Sequence, residues 1–238
     1  MTGGAGGIGA AVCRRLAEAG ASIVVADVDG ARAAGLADEL GGEPWQVDLS
    51  DTKVLAATDL DVDVLVNNAG IQHVSPVEEF PPAKFAFMLR LMLEAPFLLI
   101  RAALPGMYER GWGRIVNISS AHGLRASAYK SAYVSAKHGL EGLSKVVALE
   151  AAPHGVTSNC VNPGYVRTPL VEAQVADQAR VHNRDPAEVV NTVLLANSAV
   201  KRLIEPKEVA EAVAFLCRPE AMSMTGTDLV MDGGWTAR

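Results

Sequence analysis

Cysteine is scarce in this sequence. Cys13, Cys160 and Cys217 stand far apart, with no spacing that suits a metal site or a disulfide framework. That usage fits a reducing compartment and thiols that serve as buried apolar groups. Aromatic residues make up 5% of the chain, and no basic run is long enough for a nucleic-acid footprint in a protein of net charge -6. No apolar stretch reaches membrane length and no cationic, apolar leader opens the chain. A cytoplasmic protein with neither membrane nor nucleic-acid partners is therefore expected. Internal repeats, linkers and low-complexity tracts are also missing. What is present, 238 residues with half of them apolar and 22 glycines, is enough for one large α/β domain over residues 1–238.

The glycines concentrate where the chain starts. Thr2, Gly3, Gly7, Ile8 and Gly9 belong to a turn that opens a helical pattern, with Ile8, Val12 and Leu16 on one face and Gly20 as its stop. A glycine turn lets backbone approach a pyrophosphate, and the helix N-terminus offers free N–H groups and partial positive charge; the plain alternative is a merely flexible turn. An apolar strand, 22–27, then ends in Asp27, twenty residues after Gly7. An acid there accepts hydrogen bonds from a ribose diol and repels a 2'-phosphate, favouring NAD; the alternative is a cap for the next helix. Further strands are expected at Gln46–Asp48 and Val62–Asn67, with room for only a short helix between. Asp48 and Leu49 are then candidates for the adenine, and Asn68, Ala69 and Gly70 for the cofactor wall. A phosphate-binding turn normally leaves a buried strand, and only Met1 precedes this one. The first strand is thus expected upstream, the start having been assigned at a GUG codon that encodes valine internally.

The middle of the chain carries the reactive groups. Residues 81–110 read as a long helix ended by Gly111, with an interior proline at Pro96. That proline lacks the N–H that would bond four residues back, so the Met92 carbonyl is expected to be free to hold a water. A buried strand, 114–118, delivers Ser120, and a helix from about Ser131 to Ala152 places Tyr133 and Lys137 on one face. An ammonium beside a phenol favours the phenolate. Moving a phenol from near 10 to near 7 takes roughly 4 kcal/mol, more than one lysine readily supplies, and a cationic nicotinamide ring would add to it. Ser120 can hydrogen-bond the reacting oxygen.

Taken together, the glycine turn, Asn67 to Gly70, Ser120, Tyr133, Lys137 and Pro163–Gly164 resemble the short-chain dehydrogenases/reductases over almost the whole chain. The resemblance implies a single Rossmann-type doubly wound parallel sheet with helices on both faces, first strand missing here, in a homotetramer. It also implies that Tyr133 transfers the proton, that Lys137 lowers its pKa and holds the ribose, and that Ser120 orients the carbonyl. An asparagine that completes the family's relay through its main-chain carbonyl is replaced by Met92. Pro163, Gly164, Val166 and Thr168 fall where the family turns over the nicotinamide. Within the family the chain is most similar to dehydrogenases of a small hydroxy acid. That similarity assigns the carboxylate to Gln72, His122, Lys130 and Gln174, with Trp235 nearby from this chain or a neighbouring subunit. No metal is implied. Residues 170–204 are expected to form a helical lid over the substrate.

Overall fold

A computed structural model describes residues 1–169, 171, 172, 175 and 185–237. Among these described residues, six parallel strands line up in two blocks. The first pairs β1 (Val24–Asp27) with β2 (Glu43–Gln46); the second runs β3 (Val64–Asn67), β4 (Gly113–Ile118), β5 (Val156–Pro163) and β6 (Asp228–Met231), in that order. Met1 and Thr2 stitch the blocks together. The terminal ammonium donates to Val24 O, Ala26 N donates to Met1 O, and Thr2 N donates to Val66 O, all between 2.9 and 3.1 Å. The β2 strand begins three residues before the expected Gln46, because Gly42 leaves its helix beside Ile23 and Glu43 N at once finds Ile23 O.

Strand alternation sorts the core onto two faces. Val25, Val66 and Val116 pack with α1 (Gly7–Glu18), α2 (Gly30–Leu40) and the later helix Pro206–Leu216. Ala26, Leu65 and Ile115 point the other way, toward the helices of the middle segment. That segment is one continuous rod of three parts: Pro82–Leu89, a π-turn over Arg90–Glu94, and Ala95–Arg110. It ends on Gly111 at φ +66, as expected. Pro105 also lies inside the rod. The following helix, Ser131–Ala151, carries Tyr133 and Lys137, and the short helix between β2 and β3 is Thr52–Ala56.

The π-turn corrects one expectation. Pro96 is absorbed by widening the turn before it, and Ala95 N bonds to Arg90 O, five residues back. At that spacing the N–H missing from Pro96 would have faced Leu91, so freedom of the Met92 carbonyl does not follow from the proline. The lid expectation falls partly outside the described residues. Its described part includes the helix Pro186–Val189 and a π-turn to Leu194, where Val171, Val175, Val189, Leu194, Leu195 and Leu203 form an apolar cluster against Tyr165.

The turn into β5 gives a stability test remote from the cavities described next. Gly155 has φ +74, and a Cβ there would press onto the Gly111 carbonyl oxygen. Gly155→Ala should cost about 2 kcal/mol or more of unfolding free energy, read by denaturant titration, with no change in dinucleotide binding.

Candidate active site

Six strands end at one edge, and a cleft of about 550 Å³ opens there. Its floor is the glycine turn. A Cβ at Gly9 would collide with Gly3 O, and Gly7 sits at φ +53, so the turn closes only because these positions lack side chains. Gly6 caps α1 with no side-chain bond, leaving first-turn N–H groups for a ligand anion. Gly3, Gly7, Ile8, Asp27, Asp48, Leu49, Asn68, Ala69, Gly70, Pro163, Gly164, Val166 and Thr168 all line the cleft. Thr2 and Gly9 do not. Thr2 is a brace, its hydroxyl accepting from Asn68 N at 2.9 Å and Ala69 N at 3.2 Å, and Gly9 packs the helix against the turn.

Asp27 is not a helix cap. That part falls to Asp29, which accepts from Arg32 N, while Asp27 accepts from Ala5 N at 3.0 Å and Asp29 N at 3.1 Å and faces the cleft. Arg32, unnoticed in the sequence, donates to Ala5 O at 3.0 Å and shares the same wall. Asp48 is held below its ordinary value by hydrogen bonds from Ser50.

Ser120, Tyr133 and Lys137 meet at the far end of the cleft. Burial raises the Tyr133 hydroxyl above its ordinary value, and a hydrogen bond with Ser120 works against that. The expected effect of Lys137 on the phenol is not what dominates. Lys137 lies 5.7 Å from the Tyr133 ring centre and donates to Ile118 O at 2.7 Å. It is 4% exposed, and burial lowers it from 10.5 to about 8. Met92 stays out of the cleft; its buried side chain shares a small internal cavity with Asn67, Pro96 and Lys137.

A second, smaller pocket of about 80 Å³ joins the first through Ser120 and Tyr133. Gln72, His122 and Lys130 line it, three of the four residues assigned to the carboxylate, together with Trp235. The fourth, Gln174, lies outside the described residues. Trp235 comes from this same chain, its ring 5.1 Å from that of His122, and Asp232 fixes the turn before it by accepting from Gly234 N and Thr236 N. Tyr165 was missed: its hydroxyl accepts from Lys130 Nζ at 3.2 Å, with the ammonium 5.3 Å from its ring centre.

His122 orders this pocket. Burial and then the charge of Lys130 push it down to about 3, so it is neutral at ordinary pH. Nε2 lies 3.0 Å from Ser127 Oγ and 3.4 Å from Lys130 Nζ, which can only donate. Nδ1 lies 3.4 Å from Ser120 Oγ, and His122 N donates to the same oxygen at 3.1 Å.

This geometry has counterparts. The family model described as enoyl-(acyl carrier protein) reductase matches residues 3–236. A solved structure titled short chain dehydrogenase/reductase family protein superposes with a TM-score of 0.88 at 34% identity, covering 100% of this chain and 96% of that one. The chain belongs to the short-chain dehydrogenase/reductase family. Its family relatives include a D-beta-hydroxybutyrate dehydrogenase of Rhizobium meliloti, 43% identical over 100% of this chain and 98% of that protein. An acetoacetyl-CoA reductase of Cupriavidus necator is 34% identical over 98% and 96%. As a short-chain dehydrogenase/reductase the chain is an oxidoreductase that uses a nicotinamide dinucleotide, and the cleft fits one: a glycine cradle for the pyrophosphate, an acid at the end of β1 and a wall from β3.

The buried lysine gives a prediction that needs no turnover. A fall from 10.5 to about 8 means the unfolded chain gains a proton that the folded one resists, so stability is lost as pH drops through that window and stays lost below it. That amounts to about 3 kcal/mol at pH 7. Lys137→Met should be at least as stable as the parent in urea at pH 7, with the difference closing above about pH 10.

Proposed function

We propose that the protein oxidises (R)-3-hydroxybutyrate to acetoacetate, reversibly, with NAD+. The observation that carries this reading is the join between the two cavities: a lysine and a neutral histidine sit on the far side of the Ser120 and Tyr133 hydroxyls from the dinucleotide cleft. A ligand bridging that join would have its carbinol at the hydroxyl pair and its carboxylate at Lys130, with Gln72 as a neutral donor. The second pocket's small volume suits a four-carbon acid, and the name of the Rhizobium meliloti relative agrees.

In this reading the bound dinucleotide supplies the hydride acceptor and a positive ring charge. Ser120, with His122 donating to its oxygen, gives its proton to the carbinol oxygen as a hydrogen bond. Tyr133 takes the hydroxyl proton as hydride leaves, and returns it in reduction. Lys137 holds the cofactor ribose and stabilises the phenolate, while the Met92 carbonyl stands in the place of the family's relay carbonyl. Lys130 and Trp235 close the acid end. Asp27, already anchored by two backbone N–H groups, faces the adenosine ribose and disfavours a 2'-phosphate, hence NAD. A cytoplasmic site is in keeping with three free cysteines. A homotetramer is supported by an exposed apolar groove along the middle rod, where Leu89, Leu93 and Phe97 meet Leu143. The second reading, reduction of an acetoacetyl thioester, has the Cupriavidus necator relative's name in its favour.

NADH absorbance distinguishes these readings. (R)-3-Hydroxybutyrate should be oxidised with a kcat/KM well above that of neutral secondary alcohols, and acetoacetyl-CoA should be a poor oxidant of NADH; equal use of neutral alcohols would remove the acid substrate. Lys130→Met should raise KM for the acid about ten- to hundredfold with little change in kcat. Tyr133→Phe should lower kcat by about a thousandfold or more at unchanged NADH affinity.

A further inference from the structure

Behind the hydroxyl pair lies a buried acid that none of the chemistry above uses. Glu141 is one helical turn after Lys137, 4% exposed, in the helix Ser131–Ala151. Its Oε1 accepts from Asn162 Nδ2 at 2.5 Å, and the same Nδ2 donates to the Ser120 carbonyl at 3.1 Å. Asn162 is fully buried on β5. A Cβ on Gly123 would come within 2.6 Å of Oε1, so the loop that follows Ser120 also rests on this carboxyl.

The other oxygen shows the form in which Glu141 is held. Oε2 is buried and makes no hydrogen bond of good geometry. The groups facing Glu141 are the thiol of Cys160 on β5, the carboxylate of Asp228 on β6, the Ser119 hydroxyl, and along its own helix Lys137 and Lys145. Carboxylate, thiol and Glu141 oxygen all lie within 4.8 Å of one another. As a carboxylate, Glu141 would face the carboxylate of Asp228, with the Cys160 thiol and the Ser119 hydroxyl within reach as donors; as an acid, it donates to Asp228. Burial raises Glu141, and Lys145, 3.0 Å from Asp228, keeps that partner ionised. A cation site is the poorer account, because burial pushes the Cys160 thiol far up and Lys145 already neutralises Asp228.

We propose that Glu141 is a positioning residue, a neutral acid anchored on Asp228 that fixes Asn162 and through it the Ser120 main chain, setting the separation of Ser120 from Tyr133 and Lys137. This rests on the roles of those three residues given above. Asn162 ties β5 to the end of β4, and Glu141 ties β5 to the helix that carries the tyrosine. Removing the carboxyl frees Ser120 to shift without touching either cavity.

The test compares Glu141→Gln, Glu141→Leu and Tyr133→Phe with the wild type in NADH formation from (R)-3-hydroxybutyrate, NADH binding by fluorescence, and thermal unfolding from pH 5 to 8. Glutamine is the isostere of the neutral acid: its carbonyl still accepts from Asn162 and its amide still donates to Asp228. Glu141→Gln should hold kcat within about twofold, whereas Glu141→Leu should lower kcat about tenfold or more at nearly constant KM and NADH affinity. An acid raised above its ordinary 4.5 supplies stability that is lost as pH rises, so the Tm of Glu141→Gln should gain on the wild type from pH 5 to 8. Full kcat in Glu141→Leu, or equal damage by glutamine and leucine, overturns the proposal. Should the leucine variant not fold, the glutamine variant decides: a retained kcat with a Tm gain that grows with pH supports it, and a constant Tm difference or a lost kcat overturns it. Undiminished turnover in Tyr133→Phe, or a wild type inactive on every alcohol, would instead overturn the functional reading, while the Tm comparison still reports on the shared proton.

Discussion

The pairing of β4 with β5 is the constraint on which everything else hangs. Every residue of both strands is buried, and six parallel rungs join them from Gly113–Val156 to Ile118–Val161. Parallel strands in full register deliver their ends to the same edge, so Ser120 and the turn from Pro163 emerge side by side. A slip of one residue would turn every β4 side chain to the opposite face and move the serine off the cavity. Helices on both faces make that slip expensive, since each face has its own apolar set to keep covered.

From that pair outward, burial governs the chemistry. Dehydration pulls the Lys137 ammonium and His122 down and pushes the Tyr133 phenol up. Each shift disfavours the charged form of its group. The pocket compensates with geometry: Lys137 has the Ile118 carbonyl, and His122 has Lys130 on one nitrogen and Ser120 on the other. The Thr2 hydroxyl does the same for the turn at the end of β3, where two backbone N–H groups converge on it.

Much of this could be read in the residues because local rules set it. A glycine turn before a helix, an acid closing an apolar strand, and a Tyr–Lys pair at helical spacing declare themselves over short stretches. The end of the middle rod at Gly111 and the start of the next helix near Ser131 were legible for the same reason. Features set by distant contacts were not. The start of β2 depends on a bond to Ile23, the bond spacing at Pro96 on a π-turn, and the site role of Tyr165 on a lysine 35 residues earlier in the chain. Arg32 drew no notice in the sequence, and only the folded turn reveals that it reaches back to Ala5. Glu141 gave no sign at all, since its meaning lies in two other strands.

Asn162 makes the chain unevenly tolerant of change. Its one amide nitrogen serves two acceptors on different elements, inside a space with no room to spare. Aspartate has the right shape but no donors, and would set another carboxyl against Glu141. Glutamine is a methylene too long, and serine has a single proton for two acceptors. A residue that lines neither cavity thereby becomes one of the narrowest positions in the chain, admitting fewer alternatives than many of the side chains that meet a ligand.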